Sequence, residues 1–81
     1  MNQNYSKAIL ILEKIVSKVL NREINNINME MSALDIQGWD SLNHVQIIYF
    51  CEQELEVQFP IKEIQDLKTI GDLVRLINNY L

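Results

Sequence analysis

Ser41 is the residue in this chain best placed to do chemistry. It stands in the run Gly38-Trp39-Asp40-Ser41-Leu42, where a long polar connection gives way to a helical apolar pattern. Asp40 and Ser41 are both good N-cap residues, so a helix is expected to begin at one of them. A hydroxyl placed there is expected to be exposed, beside unpaired backbone N–H groups and the positive end of the helix dipole. A phosphate ester at such a point is favoured, since helix N-termini stabilise anions. The plainer alternative is that Ser41 or Asp40 does nothing more than cap the helix.

Few other residues offer chemistry. His44, the only histidine, follows Ser41 by three residues. A base beside a hydroxyl can activate it, yet no third orienting group or oxyanion hole is visible. His44 is therefore expected to be a helix-end side chain lying partly over the core. Cys51 is the only cysteine, which excludes an internal disulfide, and it reads as a small core hydrophobe. One histidine and one cysteine cannot build a zinc site, and the acids lack EF-hand spacing. No metal is expected, and no Gly-rich phosphate loop is present.

The elements that must position Ser41 are helical. Tyr5, Ala8, Ile9, Leu12, Ile15, Val16 and Val19 recur at steps of three and four, an apolar stripe over about residues 4–20. The pattern fades over residues 21–40. There Ile24, Ile27, Met29, Met31, Leu34, Ile36 and Trp39 sit among polar residues, which reads as a long connection pinned to the core at several points. Loops of that length are uncommon and often functional. Trp39 is expected to anchor this loop and fix the approach to Ser41; Met29 and Met31 are expected anchors as well.

In the next helix, Val45, Ile48, Cys51 and Leu55 are expected on one side with Ile47 beside them, and Asn43, Gln46, Gln53 and Glu54 opposite. Tyr49 falls at the edge of the stripe, a docking aromatic or a half-buried core edge. Phe50 is expected towards the polar face. Phe59-Pro60 opens a short helix with Pro in its first turn and Ile61, Ile64 and Leu67 as apolar positions. Thr69-Ile70-Gly71-Asp72 nearly matches a capping box, and Ile70, Leu73, Val74, Ile77 and Leu81 form the last stripe. The expected fold is all-α, a small four-helix bundle with a long first loop and a short third helix.

Bulk composition narrows the function. The chain has 81 residues, 48% hydrophobic and 22% charged, with a net charge of −4. That is one ordinary globular domain with a modest core, burying about 60% of its unfolded surface. An acidic chain with scattered basic residues repels nucleic acid and anionic membranes. No apolar stretch approaches the ~20 residues that span a bilayer, and Met1-Asn2-Gln3-Asn4 lacks the start of a signal peptide. A reducing cytoplasm fits these features.

Over nearly its whole length the sequence resembles the acyl carrier proteins and their relatives, the peptidyl carrier domains. Asp40-Ser41-Leu42, midway along a chain of the right length, matches the family's Asp-Ser-Leu motif at the start of its second helix. The run Glu52-Gln53-Glu54-Leu55-Glu56-Val57-Gln58-Phe59-Pro60 looks like the acidic end of that helix and the entry to the third. The resemblance implies one carrier domain over residues 1–81, not an enzyme, working as a monomer. It implies a covalent 4'-phosphopantetheine, transferred from coenzyme A to Ser41 by a phosphopantetheinyl transferase. The arm's thiol, not Cys51, would then carry acyl groups as thioesters between acyl-activating and acyl-transferring enzymes of fatty acid or polyketide biosynthesis. Asp40 would help the transferase recognise the site. Leu42, Val45 and Tyr49 would dock partners, and His44 could line the mouth of an acyl cavity.

The resemblance also has departures. Fatty-acid carriers are acidic two and five residues after the serine, where this chain has Asn43 and Gln46; Gln53 replaces another common acid, and Trp39 a small residue. These changes resemble stand-alone carriers of specialised pathways and imply a dedicated partner set. The rival expectations are a peptidyl or aminoacyl carrier, a helical interaction module in which Ser41 is only a cap, and a helix-turn-helix DNA binder, which the acidic balance opposes.

Overall fold

Apolar residues at steps of three and four can bury only as helices, and four such stripes need one another to exclude water. The computed structural model describes residues 4–81, which are all-helical. The first stripe is α1, Ser6–Leu20. A long connection follows, broken by one 3-10 turn at Ala33–Asp35. It leads into α2, Ser41–Leu55, the short α3, Ile61–Gln65, and α4, Ile70–Asn78. The expectation for Met1-Asn2-Gln3 lies outside the described residues. Among the described residues, no helix is long and apolar enough to cross a membrane.

Ala8, Leu12, Ile15 and Val16 of α1 meet Ile47, Ile48 and Cys51 of α2 and Ile70, Leu73, Val74, Leu76 and Ile77 of α4 in one core. Lys18 lies over the ring of Phe50, while Leu20 approaches Gly38 just before α2, the order that an antiparallel pair gives. Phe59 is buried where the chain leaves α2, its N–H held at 2.8 Å by the Glu52 carboxylate.

The long connection is pinned by side chains of α1 and by α4. Ser17 Oγ accepts from the Ile24 N–H at 2.8 Å and donates to the Ile24 carbonyl at 3.2 Å. Glu13 accepts from the Ile27 N–H at 3.1 Å. Ile70 donates its N–H to the Met31 carbonyl at 2.9 Å. Ile24, Ile27, Ile36 and Trp39 are buried as expected, and Met29 and Met31 pack half-buried against the core.

Six sequence expectations are corrected. Leu34 is not an anchor: the 3-10 turn points it outward, 96% exposed. Val45 leaves the buried side of α2, because contact with α1 is centred on Ile47, Ile48 and Cys51. Phe50 is half-buried under Lys18, Nζ to ring centroid 5.0 Å, not set on the polar face. Pro60 takes the N-cap position of α3 rather than its first turn, and Ile61 is exposed. Leu81 lies beyond α4 and is half-exposed, while Leu76 fills the core instead.

Candidate attachment site

Helix α2 starts abruptly because a turn at Gly38 leads directly into its cap, Asp40. Gly38 adopts φ +96°, a conformation in which a Cβ would be strained. Its carbonyl accepts from the Asp40 N–H at 3.0 Å and from the Asn43 side-chain amide at 2.8 Å. Asp40 is extended and is the N-cap, its carboxylate accepting from the Asn43 N–H at 2.8 Å. Ser41 is thus the first helical residue. It is exposed, and its hydroxyl has no hydrogen-bond partner among the described residues. The cap is Asp40 alone, so the reading in which Ser41 serves as the cap fails.

Behind Ser41 stands an aromatic wall. Trp39 is buried, and its indole Nε1–H donates to His44 Nδ1 at 3.0 Å. That bond makes Nδ1 the acceptor of the ring and leaves Nε2 as its N–H in the neutral form. Half-burial lowers the His44 value from its ordinary range by desolvation. His44 does not pair with Ser41, so the nucleophile-and-base arrangement is absent. Ala33, Trp39, Asp40, Ser41, His44 and Val45 line an open cleft at the hydroxyl. On the far side of Trp39 and His44, a second cleft of about 190 Å³ reaches Leu67, Ile70 and Leu73.

Leu42, Val45 and Tyr49 are 69%, 65% and 54% exposed, so α2 presents them outward in line with Ser41. Sequence reasoning missed Leu34, whose exposure depends on a single 3-10 turn that no periodicity announces. It also missed the Trp39–His44 bond, whose partners flank the helix start at no regular helical spacing. Cys51 is fully buried, and desolvation, followed by the nearby Glu52 charge, pushes its thiol up to about 12.

Residues 11–77 match the family described as "Phosphopantetheine attachment site". Two relatives share the chain's length closely. An acyl carrier protein of Clostridium perfringens is 35% identical over 85% of this chain and 91% of its own length. One of Clostridium acetobutylicum is 32% identical over 88% of this chain and 96% of its own. The solution structure of the holo acyl carrier protein from Geobacter metallireducens superposes with a TM-score of 0.79 at 33% identity, covering 90% of this chain and 84% of that one.

The chain belongs to the acyl carrier protein family. Its members are carriers that hold a covalent phosphopantetheine and work with a transferase and with biosynthetic enzymes. The residues at the start of α2 fit that group: an exposed, unengaged hydroxyl opens onto a cleft, and the helix N-terminus behind it favours an anionic ester.

Proposed function

We propose that Ser41 is the attachment point of the 4'-phosphopantetheine arm, and that residues 1–81 act as one carrier domain that performs no catalysis. The observation that supports this best is the separation of roles at the start of α2: Asp40 makes the capping bond, so the neighbouring hydroxyl is exposed and uncommitted. Ser41 Oγ attacks phosphorus in coenzyme A bound to a phosphopantetheinyl transferase. Its proton passes to a base on that enzyme, and the adenosine bisphosphate portion leaves. When bound, the arm supplies a terminal thiol that holds acyl groups as thioesters. Cys51 cannot take that role, since its thiol is buried and held protonated.

Leu34, Leu42, Val45 and Tyr49 form the surface on which acyl-activating and acyl-transferring enzymes dock, with Ser41 at its edge. From Ser41 to Cys51 the sequence contains no Asp, Glu, Lys or Arg. Docking on this face is apolar and transient, with little electrostatic steering, which fits a dedicated partner set in the cytoplasm.

Incubation of the purified chain with coenzyme A and a promiscuous transferase, followed by intact mass, tests the attachment. One phosphopantetheinyl group is expected on the natural chain and none on Ser41→Ala. Modification of Ser41→Ala, or no modification of the natural chain by any competent transferase, would overturn the proposal.

A further inference from the structure

The charge of this chain is divided unevenly. Residues 1–22 hold four of the seven basic residues and one of the eleven acids, a net charge of +3; residues 23–81 carry −7. In α1 the lysines Lys7, Lys14 and Lys18 are all exposed and share one face, because steps of seven and four bring residues back to the same side of a helix. No carboxylate lies within ion-pair distance of any of them among the described residues, where the ion pairs are Lys62–Asp66 and Arg75–Asp72. The single acid of this segment, Glu13, is engaged by the Ile27 N–H.

The same face carries Leu10, 65% exposed between Lys7 and Lys14. Clefts run along both sides of it. One lies between α1 and the start of the connection, bordered by Leu10, Ile11 and Ile24. The other lies between α1 and α2 and is floored by Tyr49 and Phe50, whose rings meet edge to face at 5.5 Å. Glu54 borders both clefts and Glu23 borders the first.

We infer that the outer face of α1 is a second docking surface, and that its partner is an acidic amphipathic segment of another protein. Glutamates or aspartates of that segment meet Lys7, Lys14 and Lys18, while an apolar side chain packs on Leu10 and on the Tyr49–Phe50 floor. The three lysines span about 16 Å of helix, the length of three turns of an opposing helix. Glu54 and Glu23 at the rims disfavour a wrong register. A lipid surface fits less well: α1 itself exposes one large apolar side chain, Leu10, on this face, and the Tyr49–Phe50 floor lies recessed in a cleft. That is too little outward apolar area to hold a helix in the interface, and an anionic bilayer repels the −7 remainder. Tyr49 lies about 12 Å along α2 from Ser41, so a partner held on α1 leaves the hydroxyl and any arm on it accessible. Such a contact covers Tyr49 but leaves Leu34, Leu42 and Val45 beside Ser41 open, so it keeps the carrier near a complex while other enzymes use those three residues, which raises effective concentration.

The probe for the test is a synthetic helix with glutamates four residues apart and a leucine stripe, titrated into the full chain at low and high salt. Expected amide shifts centre on Lys7, Lys14, Lys18, Tyr49 and Phe50, leave Asp40 and Leu42 in place, and shrink with salt. Lys14→Glu with Lys18→Glu should weaken binding at least about tenfold, and Lys14→Gln with Lys18→Gln about threefold, with helical circular dichroism unchanged. Lys62→Glu should bind as the natural chain does. The inference is overturned by shifts centred on Leu42 and Val45, by affinity indifferent to charge reversal, or by no binding at millimolar peptide. Lysine-dependent binding to phosphatidylglycerol vesicles in place of the peptide, or lysine-dependent self-association, would overturn it equally.

Discussion

The bond from Trp39 Nε1–H to His44 Nδ1 holds the loop that leads into Ser41, and it needs His44 uncharged. Burial lowers the His44 value, so as pH falls the unfolded chain takes up a proton before the folded one. The stability from the neutral ring is complete above the ordinary value of 6.5 and is lost as pH drops from there through the lowered folded value. We expect the His44 ring signals to titrate below 6.5, with the Trp39 indole proton moving in the same titration. An unshifted midpoint, or an indole proton that does not respond, would refute this. Replacing Trp39 by Phe leaves His44 Nδ1 unpaired and should cost about 1 kcal/mol in urea unfolding at neutral pH, with the pH dependence of stability reduced. At this scale much of the site was legible. Asp40-Ser41-Leu42 announced the start of α2, and Trp39 its anchoring, because both readings need only residue type and position at a helix start. The partner of Trp39 was not legible, since only the turn at Gly38 swings the indole over the first turn of α2.

Helix ends explain why these short elements hold. Helix α4 has nine residues and a complete capping box: Thr69 Oγ1 accepts from the Asp72 N–H at 3.0 Å, and Asp72 accepts from the Thr69 N–H at 3.2 Å. The Lys68 N–H also donates to Asp72, and these bonds hold its carboxyl below the ordinary range. Thr69→Ala should lower stability by about 1 kcal/mol. The Asp72 contribution should be present at neutral pH and disappear as pH falls below 3.8 through the lowered folded value, so Asp72→Asn should flatten acid unfolding there. Gly71 permits the loop to cross α4, since a Cβ there would overlap the Met29 carbonyl. Gly71→Ala should cost about 1–3 kcal/mol, measurable as a lower urea midpoint. At the end of α2, Glu56 sits at φ 56°, a conformation that glycine adopts freely. Glu56→Gly should leave stability unchanged or raise it by up to about 1 kcal/mol; a clear loss would show that its side chain matters. The capping box was readable from the sequence because it is local. The crossing at Gly71 was not, because it joins residues far apart in the chain.

Across the whole molecule, the four helices and the long first connection followed from apolar spacing and helix-end residues, whereas the sides of those helices were read less well. Val45, Phe50, Ile61 and Leu34 were misplaced because burial depends on which neighbour each helix meets, and spacing within one helix does not name that neighbour. Trust in the core can be tested by counting thiols. Cys51, fully buried with its value pushed up to about 12, should resist a thiol reagent in the native chain and react in denaturant. If Ser41 carries the arm, the modified chain should show one more reactive thiol in each state. A Cys51 that labels rapidly without denaturant would mean that the core opens far more often than its packing implies. Finally, since Asp40 rather than Ser41 ties down the first turn of α2, esterifying the serine breaks no bond on which the helix relies. If Ser41 carries the arm, the bundle should therefore receive a prosthetic group, lose it and receive another without unfolding, and both forms should keep the same backbone from Gly38 to His44.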